Sequence, residues 1–180
     1  MPKRRFKRHS VTQPSDPSYR LIPLTKGQNA LVDAADYEWL NQWNWSALKN
    51  EMGGFYAVRR EAGVFIYMHR FILGCENPKE EADHWNHQTL DNRRNNLRKC
   101  TRGQNNWNQK LAVTNSSGFK GVSWDKHRNK WFSKITFNDT TINIGRFSSR
   151  EDAAKAYDRK ALELFGEFAH LNFPIEAGLQ

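Results

Sequence analysis

Seven asparagines crowd residues 86–108: Asn86, Asn92, Asn95, Asn96, Asn105, Asn106 and Asn108. Asparagine is a poor former of helices and strands, because its amide competes for the backbone's own hydrogen bonds. A stretch this rich in it is a loop held by side-chain hydrogen bonds, or it is a site. At 180 residues the chain suits one compact domain or two small ones. Its apolar fraction is only 38%, yet 11 Phe, 7 Trp and 5 Tyr exclude wholesale disorder. No apolar run approaches the ~18 residues that span a bilayer, so no membrane partner is expected. The basic start MPKRRFKRHS leads into no apolar segment and does not read as a secretory signal. Cys75 and Cys100 lie far apart, against a disulfide scaffold and a CxxC zinc site. The expected class is a soluble, intracellular, basic protein, and nucleic acid is the first partner to test.

The formal net charge of +9 is unevenly spread. Residues 1–20 hold six basic groups against Asp16, with Pro2, Pro14 and Pro17 among them. This reads as a flexible basic arm that can neutralise phosphates without reading sequence; a solvated tail is the alternative. Residues 21–109 are close to neutral, and residues 110–180 carry a net +3. Within the neutral part, Arg93, Arg94, Arg98, Lys99, Arg102 and Lys110 follow one another with no acid between them. The acids Glu76, Glu80, Glu81, Asp83 and Asp91 lie upstream. A carboxylate-bearing stretch running into a basic one suits a metal site beside a phosphate backbone, with Arg93, Arg94 and Arg98 as candidate DNA contacts.

Apolar periodicity predicts strands at 20–24 and 29–33 and a short helix over 33–41. A hairpin is expected with strands 55–60 and 64–68, then a short helix ending at Gly74. A polar loop is expected from Cys75 to Asn96, and 97–108 reads as a strand end passing into a helix. The predicted organisation is an arm (1–20), a central domain (21–110), a linker (111–116), a second domain (117–174) and a tail (175–180). In the second domain, strands are expected at 118–122, 130–137 and 141–147, with turns at 127–129 and 138–139. The segment SSREDAAKAYDRKALELFG predicts a helix with Ser148 and Glu151 as capping box. Its inner face is Ala153, Tyr157, Ala161 and Leu164, and Gly166 ends it.

The residues His69–Arg70, Asp83–His84, Asn92, Asn95–Asn96–Leu97–Arg98, Thr101 and Asn105 resemble the HNH nuclease motif. The likeness is to the phage and intron-encoded homing endonucleases, and it covers about residues 55–109. It implies an α+β chain with a central ββα-metal module around one divalent cation. It further implies that Asp83 and Asn105 ligate the metal, that His84 is the general base, and that Asn96 braces the loop that positions His84. Phosphodiester hydrolysis needs an activated water and stabilised charge on phosphate. A histidine with a pKa near neutrality can take the proton, and oxygen ligands favour Mg²⁺ or Mn²⁺. The sequence departs from the pattern at Trp85-Asn86-His87, where the family often has an acidic residue or Asn followed by Gly. His87 is read as a surface loop residue, with a ligand or phosphate contact as the alternative.

Residues 117–174 resemble the plant APETALA-two/ethylene-response-factor domain. The carrying residues are Phe119-Lys120-Gly121-Val122, Lys130-Trp131, Ile144-Gly145-Arg146-Phe147, Glu151–Ala161, Gly166 and Leu171-Asn172-Phe173-Pro174. That family packs a three-stranded antiparallel sheet on one helix and offers the sheet to the major groove. Matching positions give Lys120, Ser123, Lys130, Lys134, Thr136, Asn143 and Arg146 as the DNA-facing set. The family usually has Arg near Ser123 and Asp125 and Trp at Asn143, so its base preference does not transfer. Trp131 and Tyr157 are expected in the core.

Together these readings imply a sequence-preferring, metal-dependent DNA endonuclease of the homing or mobile-element type. It would act on double-stranded DNA in the cytoplasm of a bacterial host. The alternative is a non-catalytic DNA-binding transcriptional regulator with a degenerate HNH module; an RNA-directed nuclease is a third reading. One motif per chain suits a monomer that nicks, whereas a double-strand cut needs a dimer or two events.

Overall fold

The computed structural model describes residues 9–50, 53–111 and 115–174. Part of the expected basic arm, half of the expected linker and the whole of the expected tail lie outside the described residues. The chain forms two compact units, Met1–Arg102 and Gly103–Gln180. Both are α+β with antiparallel strands. Among the described residues, no helix is long and apolar enough to cross a membrane.

The first unit opens with β1 (Tyr19–Pro23) and β2 (Asn29–Asp33), an antiparallel pair followed by α1 (Ala34–Asn41). Next come β3 (Ser46–Lys49), β4 (Phe55–Glu61) and β5 (Val64–Tyr67), which form a three-stranded sheet in that order. α2 (Met68–Leu73) ends at Gly74, whose φ of 61° is the left-handed conformation a helix stop requires. Then β6 (Glu81–His84) pairs antiparallel with β7 (Leu97–Cys100). Alternation sends Ala30 and Val32 inward, where they meet Ile22, Leu40, Trp45, Met68 and Leu97 in one core.

Two features depart from the sequence reading. Strand β6 lies inside the expected polar loop, because its partner β7 sits beyond residues 85–96 and local composition carries no trace of that pairing. The short strand β3 was not expected either; it is a four-residue edge completed only by β4.

The second unit opens along α3 (Arg102–Trp107). Trp107 stacks on Phe165, with ring centroids 4.7 Å apart. β8 (Val122–Asp125), β9 (Lys130–Phe137) and β10 (Thr140–Phe147) make an antiparallel meander, backed by α4 (Arg150–Phe165). The β9–β10 link is the two residues Asn138 and Asp139, with φ of 47° and 60°. That suits the tight hairpin turns that require positive φ.

β8 begins at Val122, later than expected, because Gly118 and Gly121 take φ of 78° and 75° and turn the backbone. The α4 cap is Ser149, not Ser148: Ser149 Oγ accepts from the Asp152 N–H at 3.1 Å. Ser148 Oγ accepts from Lys130 Nζ instead, at 2.7 Å. Ala153, Ala154, Tyr157, Ala161 and Phe165 are buried on α4, while Leu164 sits at the edge of the cluster. Trp131 is partly buried beside Val122 and Ala153.

Buried Asp158 accepts from the backbone N–H groups of Asn172 and Phe173, both at 2.9 Å. The Asn172 side chain clasps the Lys120 backbone, accepting from its N–H at 2.6 Å and donating to its carbonyl at 3.2 Å.

A Cβ added at Gly121 would lie 2.0 Å from Tyr157 Cδ2 and 2.7 Å from the Lys134 carbonyl oxygen. Gly121→Ala combines that clash with positive-φ strain. It should destabilise the second unit by about 2–5 kcal/mol in urea unfolding.

Candidate active site and nucleic-acid interface

Pairing β6 with β7 sets Asp83 opposite Arg98 and His84 opposite Leu97. Both Asp83 and His84 are buried. Arg98 donates to Asp83 Oδ2 through Nε at 2.9 Å and Nη2 at 2.8 Å. His84 Nε2 lies 3.3 Å from Oδ1 of Asn92, a side chain at 0% exposure. An amide oxygen can only accept, so the proton sits on Nε2 and the lone pair on Nδ1. Burial lowers the His84 pKa, opposed by the Asn92 hydrogen bond and by the charges of Asp83 and Asp91. The imidazole is therefore neutral near pH 7.

The loop between the two strands is stitched by amides. Trp85 N–H donates to the Asn96 carbonyl at 2.9 Å, and Asn86 N–H donates to Asn96 Oδ1 at 3.0 Å. Asn96 Nδ2 donates to the Asp91 carbonyl at 2.8 Å. Asn86, Asn92 and Asn96 thus belong to a hydrogen-bonded loop that carries His84 at its base. His87 takes a φ of 61°, the left-handed conformation that glycine adopts most easily. That accounts for the Gly expected there by resemblance.

His69 and Asn92 both belong to the motif-like set, without an assigned role. The structure brings both to His84. The His69 ring packs edge-on against His84 at 4.8 Å, and Tyr56 lies against both rings. His69 is buried, its Nδ1 has no hydrogen-bond partner among the described residues, and burial pulls its pKa well below the usual histidine range. Each residue sits in a different element, so no local signal in the chain could have grouped them.

The three arginines expected at DNA all meet carboxylates. Arg93 forms a two-bond pair with Asp91, Arg94 with Asp36, and Arg98 bonds Asp83. Asn105 is half-buried on α3, in the second unit.

In the second unit, β8–β10 register gathers Ser123, Lys130, Lys134, Thr136, Asn143 and Arg146 on the sheet face away from α4. All six are exposed. Lys120 stands apart from them. It precedes β8, and its ammonium donates to the carbonyls of Trp107 at 2.7 Å and Gln109 at 2.8 Å. Burial pulls its pKa down to about 8.

Two predictions follow from these contacts. Asn96→Ala strands the partly buried Asn86 N–H and the buried Asp91 carbonyl and should cost about 2–3 kcal/mol in chemical unfolding. Lys120 gives a pH signature: the folded unit binds fewer protons than the unfolded chain between pH about 8 and 10.5. Stability should therefore rise with pH across that window, by on the order of 2–3 kcal/mol. Unfolding curves at about pH 7 and about pH 10 should show the rise in the wild type and lose it in Lys120→Met.

Comparison with known proteins matches residues 117–167 to the AP2 domain family. The chain is 30% identical over 159 residues to an uncharacterized HNH endonuclease of Acanthamoeba polyphaga mimivirus, covering 86% of this chain and 80% of that protein. It is 36% identical over 87 residues to protein 3.8 of Escherichia phage T7, covering 48% of this chain and 71% of that one. The ethylene-responsive transcription factor ERF024 of Arabidopsis thaliana is 47% identical over 58 residues, 31% of this chain and 32% of that factor. With a buried Asp–His pair on one strand and a three-stranded sheet backed by a helix, this chain belongs to the HNH endonucleases and carries a C-terminal AP2 domain.

Proposed function

We propose that the protein is a sequence-preferring DNA endonuclease of the homing or mobile-element type. Its central part would hydrolyse a phosphodiester of double-stranded DNA, and its AP2 domain would hold the duplex. The observation that carries this reading is His84: buried, neutral, and oriented through Nε2 by Asn92 beside the Asp83 carboxylate. In this arrangement Nδ1 takes the proton from the attacking water, and Asn92 and Asn96 hold the ring and its loop in place. The chain order of two antiparallel strands and a helix, β6–β7–α3, supports a ββα-metal module.

By the motif, Asp83 and Asn105 would hold one divalent cation. A carboxylate and an amide oxygen are hard donors that fit Mg²⁺ or Mn²⁺. Among the described residues no group of three or more His, Cys, Asp or Glu comes together to hold a metal. When bound, such a cation supplies Lewis-acid stabilisation of charge on the phosphate and the leaving oxygen. Asp83 would share its carboxylate between that cation and Arg98.

His84→Ala should abolish Mg²⁺- or Mn²⁺-dependent cleavage of duplex DNA, a loss of at least about 100-fold, while binding in EDTA stays unchanged. Undiminished cleavage would remove His84 from the role of base. A wild-type protein that binds duplex DNA but cuts no phage or host genomic fragment with either metal would be a regulator. Faster cleavage of RNA than of DNA would reassign the substrate.

A further inference from the structure

We infer that Arg146 reads a guanine in duplex DNA, and that Asp125 and Phe132 position it for that contact. This rests on the DNA-binding reading of the AP2 domain and deepens it. Arg146 stands opposite Phe132 across the β9–β10 ladder, on the exposed sheet face. Its guanidinium carbon lies 4.8 Å from the centroid of the Phe132 ring. Its Nε donates to Asp125 Oδ2 at 2.9 Å. Asp125 is itself fixed, because Oδ1 accepts from the backbone N–H groups of His127 at 3.1 Å and Arg128 at 3.3 Å. The Asp125 side chain is only 14% exposed, against 41% for Arg146.

An aromatic face and a one-point carboxylate bond together fix the plane of a guanidinium. Among the described residues, no carboxylate takes Nη1 or Nη2 of Arg146. Those two groups form the end of the fork that matches guanine O6 and N7 in the major groove, the commonest specific arginine contact. A fork held before DNA arrives loses less side-chain entropy on binding.

The other cations of this face lack that arrangement. Arg128 is 62% exposed and reaches Asp125 only at 3.5 Å. Lys130 and Lys134 are point charges, suited to phosphate, which positions a protein without specifying sequence. The Asp125 carboxylate repels a polyanion, so its presence works against general affinity. Neutralisation by Arg146, whose hydrogen bond holds the Asp125 pKa below the usual carboxylate range, limits that cost.

Selection of binding sites by the full chain from a randomised duplex library, in EDTA, tests the assignment. The wild-type motif should contain a guanine position whose preference falls roughly 5- to 150-fold in Arg146→Lys. Lys134→Ala should weaken all sequences alike. Asp125→Asn should lose the same guanine preference while non-specific affinity rises, a pair of opposed changes that partial unfolding cannot produce. Unaltered guanine enrichment in Arg146→Lys, or no guanine position in a defined wild-type motif, overturns the inference and leaves DNA binding standing. A folded wild-type chain that binds no duplex overturns the DNA-binding reading itself.

Discussion

Four residues of antiparallel pairing between β6 and β7 hold the candidate active site together. The register places Asp83 against Arg98 and His84 against Leu97. The intervening loop must then return across a short gap, and Asn96 closes it from inside with three hydrogen bonds, two from its side chain and one to its carbonyl. Buried amide bonds of this kind gain little over water but are costly to break. Their value here is geometric: they leave His84 one orientation, with Asn92 beneath Nε2.

Charge is used differently in the two units. In the first, Arg93, Arg94 and Arg98, three of the six cations between Arg93 and Lys110, each pair with a carboxylate. Partly exposed ion pairs contribute about 0–1 kcal/mol to stability, so their main effect is to fix the loop and strand that carry Asp83 and Asp91. In the second unit, Lys130 and Lys134 stand on an open sheet face, and the one carboxylate among them is bound to Arg146. The first pattern orders a site; the second leaves positive charge available to an anionic partner.

Legibility in the sequence tracked how local each signal was. Helix α4 was readable because cap, apolar face and terminal glycine all fall within one short segment; only the cap slipped, from Ser148 to Ser149, because Lys130 recruits Ser148 from another strand. The β1–β2 and β4–β5 hairpins were equally local. Strand β6 was hidden because its partner lies past the polar loop of residues 85–96, which favours no ladder. Asp83, His84 and Asn96 were named through a motif resemblance. His69 and Asn92 acquire meaning only once folding brings α2 and the loop against β6. Lys120 stands apart from its set for a related reason: its charge is plain in the sequence, but the two carbonyls that accept from it are not.

The clasp between Asn172 and Lys120 reaches beyond stability. It ties the entry of the AP2 fold to its exit across 52 positions of sequence, so the two ends of the module meet at one place on its surface. A folded body whose ends meet is a cassette: it can be spliced into a loop, or joined behind an unrelated domain, without prising either structure open. The same geometry suits a module found both in an HNH endonuclease and in a plant transcription factor, since the host chain needs to supply only two neighbouring points of attachment.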